Sequence, residues 1–96
     1  MKVRVNKRDY KIEIKDNDSL EGLGLTNYRK GTIEILNNID KELTKSTILH
    51  ELTHAYLFEY GMPKEEYTLE DICNFIGAYA EEIVIKSNNI LNKIKR

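Results

Sequence analysis

Residues 50–54 read His-Glu-Leu-Thr-His, and these two histidines are the only ones in the chain. On a helix, side chains four residues apart stand one above the other on the same face. Two imidazole nitrogens so placed can reach a single zinc ion at about 2.0–2.1 Å. Glu51, turned about 100° from His50, would lie beside that ion without binding it, where it can hold a water molecule and take its proton. Random placement of two histidines and this glutamate content would produce the pattern roughly once in four hundred chains. The alternative is two polar side chains on a wet helix face. It has to account for Thr47, Ile48, Leu49, Leu52, Thr53, Ala55 and Tyr56 around them, all uncharged, as a helix buried on most sides requires.

Two histidines and a water do not complete a catalytic zinc site, which takes a third protein ligand. No histidine is left, so the ligand is a carboxylate or Cys73. Downstream stand Glu59, Glu65, Glu66, Glu70, Asp71, Glu81 and Glu82. Glu59 shares the helix of the motif, and Glu81 and Glu82 lie three turns into the next one. Glu70 sits in that helix's first turn, one residue past Leu69, whose side chain is expected in the core. Small residues at Cys73, Gly77 and Ala80 would let the two helices approach there. Glu70 is favoured, with Glu66 and Asp71 as the alternatives. An acidic first turn also suits the positive end of a helix dipole without any metal. Cys73 reads as a small core residue, because a buried free cysteine behaves as an apolar side chain. Tyr28, Tyr56, Tyr60, Tyr67 and Tyr79 are each candidates to place a phenol near developing negative charge. Each reads equally well as packing.

The elements that must position these groups follow from periodicity. Val3 and Val5 alternate with Lys2, Arg4 and Asn6, and Ile12 and Ile14 alternate with charged residues, the period of a sheet with one wet face. Residues 16–24, rich in Asp, Asn, Ser and Gly, read as a loop. Residues 25–28 and 32–36 form a hairpin whose turn places Gly31 where a positive φ is cheap. Asp40 caps a helix over about 40–60, ended by Gly61 with Pro63 beyond it. Thr68 and Asp71 open a second helix over about 68–92. Its buried stripe is expected at Leu69, Ile72, Cys73, Ile76, Tyr79, Ala80, Ile83 and Val84. Asn88 and Asn89 are weak helix formers, so its end is expected to fray. The fold class is α+β: a small, mostly antiparallel sheet packed on an active-site helix and a long second helix, in one domain over 1–96.

Composition narrows the function classes. Fifteen Lys and Arg against sixteen Asp and Glu leave a net charge of −1, which argues against a protein built to hold phosphate backbones. One cysteine supports no internal disulfide. The amino terminus alternates charged and apolar residues rather than forming a leader, and no run reaches the roughly 18–20 apolar residues of a membrane span. A soluble cytoplasmic protein is expected, with no nucleic-acid or membrane partner.

The run TILHELTHAYLFEYG followed by TLEDICNFIGAYAEEI resembles the zincin metallopeptidases. It looks most like small glutamate-liganded gluzincins, among them the ImmA/IrrE-like proteins of mobile elements, the minigluzincins and small phage proteins with the same motif. The resemblance spans residues 33–85. In ImmA/IrrE-like proteins the third ligand is a Glu in an E-x-x-A-N-type segment that opens a later helix. Glu70-Asp71-Ile72-Cys73-Asn74 is similar to that segment, with Cys73 at the small position. The resemblance implies one zinc ion on His50, His54 and Glu70, Glu51 as general base, and a peptide or protein substrate. It also implies that the strand before the active helix, residues 32–36, is an edge lying beside the substrate. Only fifteen residues separate His54 from Glu70, so the cleft would have a short floor. Peptide deformylases share the motif, but the resemblance implies an upstream cysteine there, which this chain lacks. A second expectation, from a different class, is a zinc-binding but catalytically silent or self-inhibited interaction module of a phage or mobile element.

Overall fold

The computed structural model describes residues 1–16, 22–62 and 65–94. Four strands precede two helices: β1 (Lys2–Val5), β2 (Arg8–Lys15), β3 (Gly24–Asn27), β4 (Thr32–Leu36), α1 (Lys41–Glu59) and α2 (Leu69–Ile94). The central part of the expected 16–24 loop, Pro63 and the last two residues lie outside the described residues. The α+β architecture is as the periodicity indicated, with one four-stranded sheet in the order β1-β2-β4-β3. β1 with β2 and β3 with β4 are antiparallel, and β2 with β4 is parallel. The β3–β4 turn has Gly31 at φ 68°, the left-handed value the sequence called for.

The sheet order corrects one expectation. β4 is not an edge. It lies between β2 and β3, and β3 takes the edge position instead. Alternation fixes only which face a side chain occupies: Val3, Val5 and Ile12 are buried as their period indicates, whereas Ile14 is 41% exposed. Alternation carries no information on which strands lie to either side.

Both helix caps form as their residues dictate. The Asp40 carboxylate accepts from the Leu43 amide at 2.7 Å. At the other end Gly61 has φ 75°, with Met62 N–H donating to Leu57 C=O and Gly61 N–H to Phe58 C=O, a Schellman arrangement. Thr68 and Asp71 exchange hydrogen bonds at 3.0 and 3.1 Å, a reciprocal capping box that starts α2. α2 runs unbroken through Asn88 and Asn89 to Ile94, because Ile90 and Leu91 are buried and hold its last turns. Packing overrides the weak local propensity there.

The core joins Val5, Tyr10, Ile33 and Ile35 of the sheet to Ile48, Leu52, Ala55 and Tyr56 of α1, with Phe75, Ile83, Ile90 and Leu91 from α2. The predicted stripe of α2 is corrected in its first half. Leu69, Ile72 and Ile76 are 77%, 49% and 55% exposed, and Cys73 and Val84 are exposed with them. At about 1.5 Å per residue the 26-residue helix spans the whole 37 Å long axis of the molecule, whose other two dimensions are 24 Å. Such a helix cannot turn one stripe onto a small core along its whole length. Phe75 makes the inward contact early in the helix and Ile83, Ser87, Ile90 and Leu91 make it later. No helix among the described residues is long and apolar enough to cross a membrane.

Candidate metal site on the first helix

His50 and His54 project from the exposed face of α1, their rings in edge contact at 72°. Their Nε2 atoms are 3.2 Å apart. Two nitrogens bound tetrahedrally to one zinc at the usual bond length would be about 3.3 Å apart. The separation matches that of two ligands on one ion, and it is equally that of an N–H···N hydrogen bond between the two rings. This follows from the i, i+4 geometry that the sequence dictates.

Glu51 is turned inward, and only 7% of the residue is exposed. Thr26 Oγ1 lies 2.8 Å from Glu51 Oε1 and 2.9 Å from the Glu51 carbonyl oxygen. A hydroxyl has one proton to donate, and the carboxylate is the stronger acceptor. Glu51 Oε2 is left facing His50 Nε2 at 3.9 Å. One oxygen is thus anchored by β3 and the other is directed toward the histidines.

Gly24 is what lets β3 come so near. A Cβ at that position would stand 2.8 Å from Thr47 Cγ2 and 3.0 Å from both Glu34 C=O and Glu51 Cγ. The sequence places Gly24 at the end of a loop and Thr26 in a hairpin strand, with no part for either in the site; Gly24 instead opens β3. Both lie two residues apart on a strand that faces the motif helix, a relation visible only once β3 is placed. With Leu25, Tyr28, Glu51 and His54 they line a groove of about 290 Å³. His54 also borders a second hollow, of about 340 Å³, lined by Ser46, Leu49, His50, Thr53 and Leu57. His54 borders both hollows, and His50 borders the second.

Among the described residues no strand pairs with the outer side of β3, which borders this groove. The Leu36 N–H donates to Leu23 C=O, so the hydrogen-bonded pairs with β4 fall at Leu23, Leu25 and Asn27. The amides and carbonyls of Gly24 and Thr26 are then directed away from β4.

Among the tyrosines the structure separates roles. Tyr28 alone shares the groove with Glu51 and His54. Its ring stacks on Phe58 at 4.4 Å, and burial, with the nearby Glu51 charge and Tyr67, raises its phenol pKa. The Tyr56 hydroxyl donates to Glu82 at 2.7 Å inside the core, and burial raises its pKa strongly. Tyr60 and Tyr79 pack against one another at 4.2 Å. Tyr67 donates to the Met62 carbonyl.

The carboxylate candidates for a third ligand are dispersed. Glu65, Glu66, Glu70 and Glu81 are exposed, and Asp71 is engaged by the Thr68 amide. Glu59 binds Arg8 and Tyr10, and Glu82 binds Tyr56 and Lys86. Cys73 is exposed, not in the core. Among the described residues no group of three or more His, Cys, Asp or Glu side chains is placed to hold a metal ion. The structure brings His50, His54 and Glu51 together and leaves Glu70, Glu66 and Asp71 outside that group. No protein-family model, curated protein or solved structure matches the chain.

Proposed function

We propose that the chain is a zinc-dependent peptidase in which His50 and His54 hold the ion and Glu51 is the general base. The observation that carries this reading is the 3.2 Å approach of the two Nε2 atoms beside a buried, anchored carboxylate. Glu70, in the first turn of α2, is the proposed third ligand. Its exposed side chain would be organised by the ion, since a metal site commonly orders its ligands on binding. Bound zinc would polarise the scissile carbonyl and make water a usable nucleophile near neutral pH. Glu51 takes the proton from that water and delivers it to the leaving amine. Thr26 fixes the carboxylate for both transfers. Tyr28, in the same groove, is positioned to donate its phenolic hydrogen to an oxygen gaining negative charge. An extended peptide would pair with the outward amide and carbonyl groups of Gly24 and Thr26, which places the substrate on β3 and not on the strand preceding α1.

The test is metal analysis combined with hydrolysis of a peptide library. One zinc per chain is expected for the wild type and for Glu51→Gln, and none for His50→Ala. Glu51→Gln should lose hydrolysis completely, and full activity in that variant removes the mechanism. Glu70→Gln should weaken zinc binding; unaltered affinity assigns the third position elsewhere. A second reading is a zinc-binding but catalytically silent module, since among the described residues no third side chain joins His50 and His54 to complete the ligand set a catalytic zinc needs. Stoichiometric zinc with no cleavage of any library member would establish it.

A further inference from the structure

The exposed apolar stripe on the first half of α2 takes no part in the histidine site, whose proposed third ligand, Glu70, lies beside it. Leu69, Ile72, Cys73 and Ile76 follow one another there at helical spacings, and all are exposed. From Leu69 to Ile76 the stripe is about 10 Å long, and Val84 is exposed about two turns further on. Ile72 and Ile76 also wall a groove of about 150 Å³ between the helices, with Thr53, Leu57, Met62 and Phe75. Contiguous apolar surface of this kind on a small domain marks a contact site. Gly77 lies within the same half, and a Cβ there would meet nothing within 4 Å. Its cost to the helix has no compensation inside the molecule, whereas it would let another backbone approach closely.

Charge selects the occupant. Residues 65–85 contain no Lys or Arg, and Glu65, Glu66, Glu70 and Glu81 there are exposed, while Asp71 is held by the Thr68 amide and Glu82 by Tyr56 and Lys86. A second copy laid antiparallel on this stripe would set the acidic start of one helix against the acidic middle of the other, like against like. Anionic bilayers and nucleic acids are repelled for the same reason. A helix whose apolar residues are flanked by lysine or arginine satisfies both the stripe and its border. We infer that the first half of α2 docks a basic amphipathic helix of another protein, its apolar side chains entering the Ile72–Ile76 groove and its cations meeting the flanking carboxylates.

The experiment uses the full chain and labelled synthetic peptides of about 18 residues, long enough to cover the stripe. One carries leucine at helical spacing with lysine on the flanks. A second has the same composition scrambled to remove the apolar face, and a third replaces lysine by glutamate. By fluorescence anisotropy the first should bind about ten-fold or more tighter than either control. Ile72→Ser with Ile76→Ser should weaken it to a similar degree, as should Glu65→Lys with Glu81→Lys. All four positions are exposed, and an unchanged urea midpoint would show the fold intact. Binding should survive His50→Ala, so the result does not depend on any metal. Equal binding of the scrambled peptide, indifference to the Ile72 and Ile76 changes, or loss with His50→Ala would each overturn the inference. So would a wild-type dimer in sedimentation that Ile76→Ser dissociates.

Discussion

Adding one methyl group at two different glycines should move stability in opposite directions. At Gly24 the new Cβ would meet Thr47 Cγ2 at 2.8 Å and Glu51 Cγ and Glu34 C=O at 3.0 Å. The side chains can turn, but the Glu34 carbonyl belongs to the adjoining strand and cannot retreat without disturbing the ladder. Overpacking of this kind costs about 1–3 kcal/mol. Replacing glycine within a strand returns about 0.5–1 kcal/mol through lower chain entropy in the unfolded state. The net for Gly24→Ala is a loss of about 1–2 kcal/mol, or roughly 5–10 °C in Tm for a domain of this size. At Gly77 a Cβ meets nothing within 4 Å, so Gly77→Ala keeps only the helix-propensity gain of about 0.5–1 kcal/mol. Urea and thermal unfolding of the two variants against wild type measure both effects. A neutral or stabilised Gly24→Ala protein would refute the close packing of β3 on α1, and with it the anchoring of Glu51.

Thr26→Val keeps the side-chain shape and removes the donor to Glu51 Oε1, so a loss of about 1–2 kcal/mol is expected in urea unfolding. If Glu51 is the base, the same variant should lower kcat while zinc content stays constant. Ser87 is buried with no hydrogen-bond partner for its hydroxyl among the described residues. Ser87→Ala should therefore stabilise the protein, by about 1 kcal/mol, and a destabilised variant would show that the hydroxyl is satisfied. Hydrogen bonds from Tyr56 and then Lys86 hold the Glu82 carboxyl below its ordinary 4.5. A lowered folded pKa contributes stability that is present above the unfolded value and is lost as pH falls through the folded one. The stability difference between wild type and Glu82→Gln should thus be full at pH 7 and narrow below 4.5, and a gap that widens in acid would contradict the pairing.

Local chemistry in the chain was enough to settle several features. Asp40, Gly61 and the Thr68–Asp71 pair bound the helices because a cap is made by residues three or four positions apart. The His50–His54 spacing sets two imidazoles edge to face for the same reason, and the alternation of Val3, Val5 and Ile12 assigns them to the inner face of the sheet, although Ile14 of the same run is left 41% exposed. Other features waited for the tertiary structure, since they depend on which elements become neighbours. Periodicity is silent on strand order, and the resemblance to zincins implies an edge at residues 32–36, whereas β3 holds that place and supplies the Gly24 and Thr26 contacts to Glu51. A helical stripe read from sequence is continuous, whereas the core it meets is shorter than the helix, which leaves Leu69, Ile72, Cys73 and Ile76 facing outward. Covalent spacing decides what one helix can hold; the area available on its neighbours decides what that helix can bury.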